Sequence, residues 1–573
     1  VTGNNTEFGK IAALVAERKP EPTPLQRAVS RFAKMTGIVL VVLTVILFGI
    51  GVYVGYDLFD MFLIAVAVAV SAVPEGLPVA LTVILAIGVE RLAKQKGVVR
   101  KLLAAETLGS TNLILTDKTG TLTQAKMELV EILPWQDRRS EAARKQMVAT
   151  ALLNTDVVVE NPDSPPGQWQ IVGGPLEIAL VKGAVAEGVS YPEIQRTVEI
   201  VDRKPFTSQA KYSISISYRQ AKHYVSILGA PEIIIDFTDL GDEEKKRVRT
   251  QIAERAHSGE RILGLAAKEQ MRSGETIRDH VSLSGFRFLG LLAFRDPLRP
   301  TVKAAIRHIG ERGVKTVIVT GDHPGTAEAV GREAGIVHGP GEVMTGEELS
   351  ALSDEEVVAR AGHISAYART TPEQKVRLIT MYKKLGYVVA ATGDGINDAP
   401  ALEAADIGVA VGSGTDVTKS AADLVILDDN FETIVTAIKG GRRILQNIRK
   451  VIVYLLSSSL DEVLLIGGSL LAGLALPLNA LQILFVNFFS DSFPAVAFAF
   501  EHMADEGKER PVQLHKNLFD PAMKFFILVI GIPTSALLFF IYHMLLSYGL
   551  HAETVRTFIF ASFASYTLFL AFS

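Results

Sequence analysis

The sequence predicts a multidomain protein, an α-helical transmembrane bundle joined to a parallel α/β unit that is interrupted by an insertion. Three observations predict it. Hydrophobic residues make up 48% of the 573, which at this length points to membrane segments. Residues 109–435 hold no run long enough to span, and strand and helix patterns alternate over 109–125 and 288–435, as in a parallel sheet. The stretch between, 126–287, is rich in strand-like alternation, as in Tyr212-Ser213-Ile214-Ser215-Ile216-Ser217.

Composition narrows the function classes. Cysteine is absent, so no disulfide framework or thiolate metal site exists. A net charge of −4 gives no sign of a nucleic-acid partner. Val1-Thr2-Gly3-Asn4-Asn5 is not an initiator Met followed by a basic region, and the chain reads as beginning in the middle of a protein.

In chain order, residues 1–34 are polar, with Pro20, Pro22 and Pro24 marking a linker. A first apolar span runs from Gly37 to Tyr56, and a second from Met61 to about Gly88. Arg91, Lys94, Lys96, Arg100 and Lys101 then place this end in the cytoplasm by the positive-inside rule. Hydrophobic segments resume at 450–473, 478–499, 523–547 and 555–573, making six spans. The expected organisation is spans and stalk at 35–108, the α/β unit at 109–125 and 288–435, the insertion at 126–287, and further spans over 436–573.

The chemistry centres on Asp117-Lys118-Thr119-Gly120-Thr121-Leu122-Thr123, which follows the apolar run Asn112-Leu113-Ile114-Leu115. An aspartate at the carboxyl end of a buried parallel strand sits where open α/β sheets place their ligands. There it can attack phosphorus, giving an aspartyl-phosphate, if cations neutralise the incoming group. Thr320-Gly321-Asp322 follows the strand 316–319, and Thr392-Gly393-Asp394-Gly395-Ile396-Asn397-Asp398 follows 388–391. Three strand-end aspartate motifs suggest one Mg²⁺ and phosphate site drawn from distant parts of the chain.

The spans carry a second chemistry. Glu75 lies between Pro74 and Pro78; proline frees the carbonyls before it, so Val70, Ser71 and Val73 could join Glu75 in an oxygen cage for a hard cation. Ser459 and Glu462 lie three apart on one helical face, and Asn487, Ser490 and Asp491 share a face of the following span. An all-oxygen set suits Ca²⁺, Mg²⁺, Mn²⁺ or Na⁺ and disfavours Cu⁺. Asp461 is off that face, and a further ligand, a proton carrier or half of a salt bridge remain open for it.

With these residues in hand, the chain resembles a P-type ATPase of the type II cation pumps, closest to the calcium-pump branch. The resemblance rests on Asp117 to Thr123 as the phosphorylation motif and Asp394 to Pro400 as the hinge motif. It implies a haloacid-dehalogenase-like (Rossmann-like) phosphorylation domain with an inserted α+β nucleotide-binding domain. Asp117 would accept the γ-phosphate of ATP, with Lys118 beside it. Mg²⁺ would be held by the Asp117 carboxylate, the Thr119 carbonyl and Asp394. Lys375 would neutralise the phosphoryl group, Thr320, Gly321 and Asp322 would line it, and Asn397 and Asp398 would support it. Phe206 matches the adenine-stacking aromatic, Glu177 the acidic residue near the base, Lys211 a basic neighbour and Arg261 a phosphate-facing arginine. Gly229, Asp296 and Arg369 complete the implied nucleotide set, while Leu228 stands where lysine is usual.

The resemblance also bears on cargo and compartment. Pro74-Glu75-Gly76-Leu77-Pro78, Asn487, Ser490 and Asp491 fit the calcium-pump form, whereas Ser459 replaces the usual asparagine and Thr567 a glutamate. One site, built on Glu75, Asn487 and Asp491, is therefore expected, with one Ca²⁺ exported per cycle from a multi-pass protein of the plasma membrane. Exchange of Na⁺/K⁺, Mn²⁺ or H⁺ is the first alternative. An autophosphorylating chain that does not pump is the second, since the Thr-Gly-Glu-Ser dephosphorylation loop is not in this sequence and residues 1–34 resemble only the end of the actuator domain. Thr345-Gly346-Glu347-Glu348 matches that loop superficially and reads instead as a helix start. No obligate protein partner is evident.

Overall fold

Each predicted strand before an aspartate motif forms. A computed structural model describes residues 76–501 and 521–571, apart from 103, 137–139, 208, 220–221 and 271–281, together with scattered positions between 34 and 66. The expectations for residues 1–33, most of the first span, and Val70, Ser71, Val73 and Glu75 lie outside the described residues. The chain divides into two units, one of Val1–Leu115, Arg307–Lys315 and Lys375–Ser573, the other of Thr116–Ile306 and Thr316–Gln374.

In the first unit, strands Gly97–Val99, Leu424–Ile426, Ile407–Val411, Val389–Gly393 and Leu113–Thr116 lie side by side in that order. Ile407–Val411 runs parallel to both of its neighbours, Val389–Gly393 and Leu424–Ile426, whereas Gly97–Val99, at the edge, is antiparallel to Leu424–Ile426. Ile407–Val411 and Val389–Gly393 are buried throughout, as strands covered on both faces must be, and this is why they read as unbroken apolar runs.

The same unit holds the membrane helices. Four described helices are long and apolar enough to cross a membrane: Gly76–Lys94, Phe431–Leu471, Leu481–Phe500 and Met523–Ser547. The expected span 450–473 is the second half of a 41-residue helix, Phe431–Leu471, whose start is capped by the Asn430 side chain accepting from the Glu432 amide. The expected span 478–499 is broken: Ala480–Phe485 is α-helical, Val486–Asp491 widens to a π-helical turn, and Ser492–Ala497 resumes. The expected span 555–573 is a helix over Ala552–Leu570. Glu553, Arg556 and its hydroxyl residues leave it less apolar than the other four.

Two backbones nearly touch where helix Ala104–Ser110 crosses the long helix. A Cβ on Gly109 would lie 2.3 Å from the Gly441 carbonyl oxygen, and one on Gly441 would lie 2.4 Å from the Gly109 nitrogen. Only glycine fits at either position.

The second unit is built on a six-stranded antiparallel sheet, ordered Glu128–Pro134, Arg287–Arg295, Arg261–Gln270, Lys222–Gly229, Tyr212–Arg219 and Glu199–Lys204. Each face has its own core: Leu228, Leu265, Leu292 and Phe294 on one, Ile214, Ile227, Ala266 and Ala293 on the other. Consequently Ser213, Ser215 and Ser217 are buried as fully as the isoleucines between them. The sheet corrects one boundary. Arg287–Arg295 pairs with strands of the insertion on both sides, so on pairing the insertion ends after Arg295 and not at 287.

The connectors into and out of the insertion run together. Thr123 bridges Leu298, and Asp296 accepts a 2.6 Å hydrogen bond from the Thr123 hydroxyl and another from the Lys126 amide. Val158–Val159 and Ile171–Val172 form a small antiparallel pair, and three further strands of this unit, Lys315–Val319, Ala366–Ala368 and Val343–Thr345, are parallel. Thr345 starts a helix as expected, with Glu348 accepting from its amide and hydroxyl and its hydroxyl accepting from the Glu348 amide.

Candidate phosphoryl-transfer and cation sites

In the second unit Asp117 leaves the strand Leu113–Thr116 in extended conformation (φ −68°, ψ 152°), and the chain then turns through Gly120 at φ 73°. That left-handed geometry explains the glycine. Arg299 braces the turn, donating to the carbonyls of Thr123 and Gly120 at 3.1 Å each. Lys118 is 6% exposed, and its ammonium pairs with Asp322 at 2.6 Å. Its charge is thus directed to Asp322. Thr320 accepts from the Asp322 amide, and Thr370 donates to the Thr320 carbonyl. Gly321 has open space where a side chain would stand. Lys118, Thr320, Gly321 and Asp322 are therefore brought together.

In the first unit Asp394 follows Val389–Gly393. Asp398, 4% exposed, organises the loop: one carboxylate oxygen pairs with Lys375 at 2.6 Å, and the other accepts from the amides of Asp394 and Gly395. A Cβ on Gly393 would lie 2.4 Å from that of Asp398, hence the glycine. Asp394 itself is anchored through its carbonyl, which accepts from Thr415 and Thr418. Burial, and next the charge of Asp398, push the Asp394 carboxyl above its ordinary range. A loop with this excess of negative charge fits a hard divalent cation. Asn397 is exposed beside it.

The expected nucleotide residues divide. Phe206 is 54% exposed, as a stacking surface must be. Lys211, at φ 61°, is drawn against Gly229, where a Cβ would come within 2.4 Å of the Lys211 carbonyl oxygen. Arg261 is exposed at the start of its strand. Three others are engaged by the protein itself. Glu177 accepts from the Gly174 and Asp156 amides and so caps the helix Pro175–Ala186. Asp296 ties the connectors together. Arg369, at φ 52°, donates its amide to the Asp322 carbonyl. Leu228, at the position where lysine is usual, is a core residue at 6% exposure.

Within the membrane helices, Ser459, Glu462, Asn487, Ser490 and Asp491 are all buried, none more than 7% exposed. The Asn487 amide stands 3.3 Å from both carboxylate oxygens of Glu462. Turned nitrogen-inward it donates to them; turned oxygen-inward, three oxygens converge in the way a cation would use. Asp491 accepts from Ser458 at 3.0 Å, and the Tyr454 hydroxyl lies 2.9 Å from the Ser490 carbonyl and 3.1 Å from that of Thr567. Sequence reasoning missed Ser458 and Tyr454; the run Ser457-Ser458-Ser459 was the available signal. The π-helical turn corrects the single α-helical face expected for Asn487, Ser490 and Asp491. Ser492 donates to the Asn487 carbonyl, and a Cβ on Gly76 would lie 2.8 Å from the Ser492 hydroxyl oxygen. Gly76, next to Glu75 in sequence, thus packs against Ser492, the residue that follows Asp491. For Asp461 the salt bridge is removed: among the described residues no cation pairs with it, and it accepts from Ser535 at 2.6 Å.

Comparison with known proteins now bears on these sites. Residues 111–406, just over half the chain, match the haloacid dehalogenase-like hydrolases, and residues 475–573 match the C-terminus of cation transporting ATPases. The chain belongs to the haloacid dehalogenase-like hydrolases, in the P-type ATPase family. P-type relatives align along nearly all of it. A calcium-transporting ATPase of Bacillus subtilis is 35% identical over 95% of this chain and 65% of its own length. Calcium-transporting ATPase 1 of Bacillus cereus is 37% identical over 93% and 62%. The probable cation-transporting ATPase F of Mycobacterium bovis is 35% identical over 87% and 59%. The chain therefore spans about three-fifths of the length of these P-type ATPases, and its apolar helices make it a membrane protein.

Proposed function

We propose that this chain carries the phosphorylation and cation-binding parts of an ATP-driven calcium export pump of the plasma membrane. Asp117 is the nucleophile: its carboxylate oxygen bonds to the γ-phosphorus of ATP as the bond to the β–γ bridging oxygen breaks, and ADP leaves with that electron pair. Mg²⁺, held by the Asp117 carboxylate, the Thr119 carbonyl and Asp394, supplies charge neutralisation when bound. Lys375 offers positive charge to the transferred group, with Asp398 fixing its ammonium. Thr320, Gly321 and Asp322 line the phosphoryl group, and Asn397 supports it. Phe206, Lys211, Gly229 and Arg261 bind the nucleotide, with Glu177 and Arg369 shaping the loops around it and Asp296 holding the connectors. The carrying observation is the Asp117–Thr123 run leaving a buried strand, inside the matched region.

The transported ion is Ca²⁺, bound by Glu75, Glu462, Asn487 and Asp491, with Ser459, Ser490 and the carbonyls of Val70, Ser71 and Val73 completing the oxygen set. Three relatives named as calcium-transporting ATPases support this choice. One ion moves per cycle, because Thr567 offers no carboxylate and its hydroxyl donates within its own helix. Phosphorylation of Asp117 changes domain packing and shifts the helices bearing Glu462 and Asp491, so that affinity and access side change together.

Labelling of the full-length protein with γ-labelled ATP tests the reading. Label appearing only with micromolar Ca²⁺ and lost in Asp117→Asn is the expected result. Label that ignores Ca²⁺ but follows Na⁺ or Mn²⁺ would overturn the ion, and absence of label under every ion would overturn the pump.

A further inference from the structure

We propose that Asp461 anchors a second cation site, for a monovalent alkali ion, between the long helix and the helices Met523–Ser547 and Ala552–Leu570. Asp461 is 0% exposed. One of its carboxylate oxygens accepts from the Ser535 hydroxyl at 2.6 Å, and the other closes no hydrogen bond. Gly531 lets the two helices come this near: a Cβ there would lie 2.9 Å from Leu460 and 3.4 Å from the Asp461 carboxylate.

An independent observation stands opposite, on the third helix. The Tyr566 hydroxyl is buried and closes no hydrogen bond, although it faces both Asp461 and Thr534 closely enough to act on them. Thr534 donates its own proton to the Ile530 carbonyl at 2.6 Å, so toward Tyr566 it offers only an acceptor. Ser535 has likewise committed its proton to Asp461. Four side-chain oxygens from three helices therefore converge with too few protons to go round. Tyr566 has one to give, and whichever neighbour takes it, another buried oxygen is left unanswered.

The class of ligand follows from the charge and the donor set. A single carboxylate buried without a counter-charge is costly, and among the described residues no cation pairs with it. A monovalent ion cancels that charge, whereas a divalent ion would leave net positive charge in a low-dielectric setting. The donors are all oxygens, which suits a hard ion. Neighbouring residues stand about 100° apart around a helix, so Asp461 faces Ser535 while Glu462 faces Asn487. The site is thus separate from the Ca²⁺ set and stands on its own residues, whatever ion is transported. Asp491 lies within the field of Asp461, so an ion held here opposes Ca²⁺ at the neighbouring set.

The test is equilibrium binding of ²²Na⁺ and of ⁸⁶Rb⁺, as a stand-in for K⁺, to full-length protein in detergent. Wild-type protein without Ca²⁺ should bind at least one of the two, and binding of neither overturns the proposal without any variant. Asp491→Asn, which impairs the Ca²⁺ set, should keep the bound ion. Adding Asp461→Asn should remove it, and Tyr566→Phe should weaken it about tenfold. Binding that survives Asp461→Asn but is lost in Asp491→Asn would put the ion in the Ca²⁺ set and end the proposal. In wild-type protein the same ion should raise the Ca²⁺ concentration needed for phosphorylation about tenfold, an effect that Asp461→Asn should erase and direct competition would not. Ca²⁺-dependent label without any bound alkali ion would strike this site alone and leave the pump standing.

Discussion

The strand-end loops and the membrane helices both gather carboxylates, yet they hold them by different means. At Asp117, Asp322, Asp394 and Asp398 the backbone does the positioning, through amides, glycines and tight turns within a few residues of each motif. At Glu462, Asn487 and Asp491 it is the packing of separate helices that brings the groups together, with hydroxyls of Ser458 and Tyr454 as the polar contacts. The first kind of site tolerates solvent; the second must satisfy every polar atom internally. Chemistry that consumes a soluble nucleotide suits the former, and selection of a dehydrated ion suits the latter.

Single substitutions should separate the two regions. Asp117→Asn is expected to abolish the phosphoenzyme entirely while equilibrium ⁴⁵Ca²⁺ binding persists; loss of both together would erase the distinction. Asp491→Asn should do the reverse, raising the Ca²⁺ concentration needed for labelling about a hundredfold with the maximal label retained. An unchanged Ca²⁺ requirement would remove Asp491 from the cation set. A Ca²⁺-to-phosphoenzyme ratio of two would likewise end the single-site reading.

Two further changes probe stability. Gly109→Ala forces a methyl group into the Gly441 backbone and should cost about 3 kcal/mol in denaturant unfolding; a cost below about 1 kcal/mol would mean the crossing relaxes freely. Thr345→Ala should cost only about 1 kcal/mol, read as faster local hydrogen exchange at the helix Gly346–Ala351. Hydrogen bonds from the Thr345 amide and hydroxyl hold the Glu348 carboxyl below its ordinary range. Its contribution is therefore present above that range and lost as pH falls through the lowered value. The Thr345→Ala difference should shrink in acid, and a difference that grows there would contradict the cap.

What was legible in the sequence follows the same division. Thr345 to Glu348 and the strands before Asp117, Asp322 and Asp394 were readable because local periodicity and turn chemistry determine them. The end of the insertion was not, since only the pairing of Arg287–Arg295 with both neighbours assigns that strand. Glu177 and Asp296 look like ligands in one dimension, and their use as a helix cap and a connector tie is visible only once their amide and hydroxyl partners are in place. The π-helical turn at Val486–Asp491 carries no proline or glycine to announce it.

The length of the helix Phe431–Leu471 has a mechanical consequence. Forty-one residues in one unbroken helix reach about 60 Å, roughly twice the thickness of the hydrocarbon layer. It contains no proline at which to bend. A push at the Gly441 crossing is therefore carried along one helix and arrives at Ser458 and Glu462 as the tilt of a lever, with the fulcrum wherever the bilayer grips the shaft.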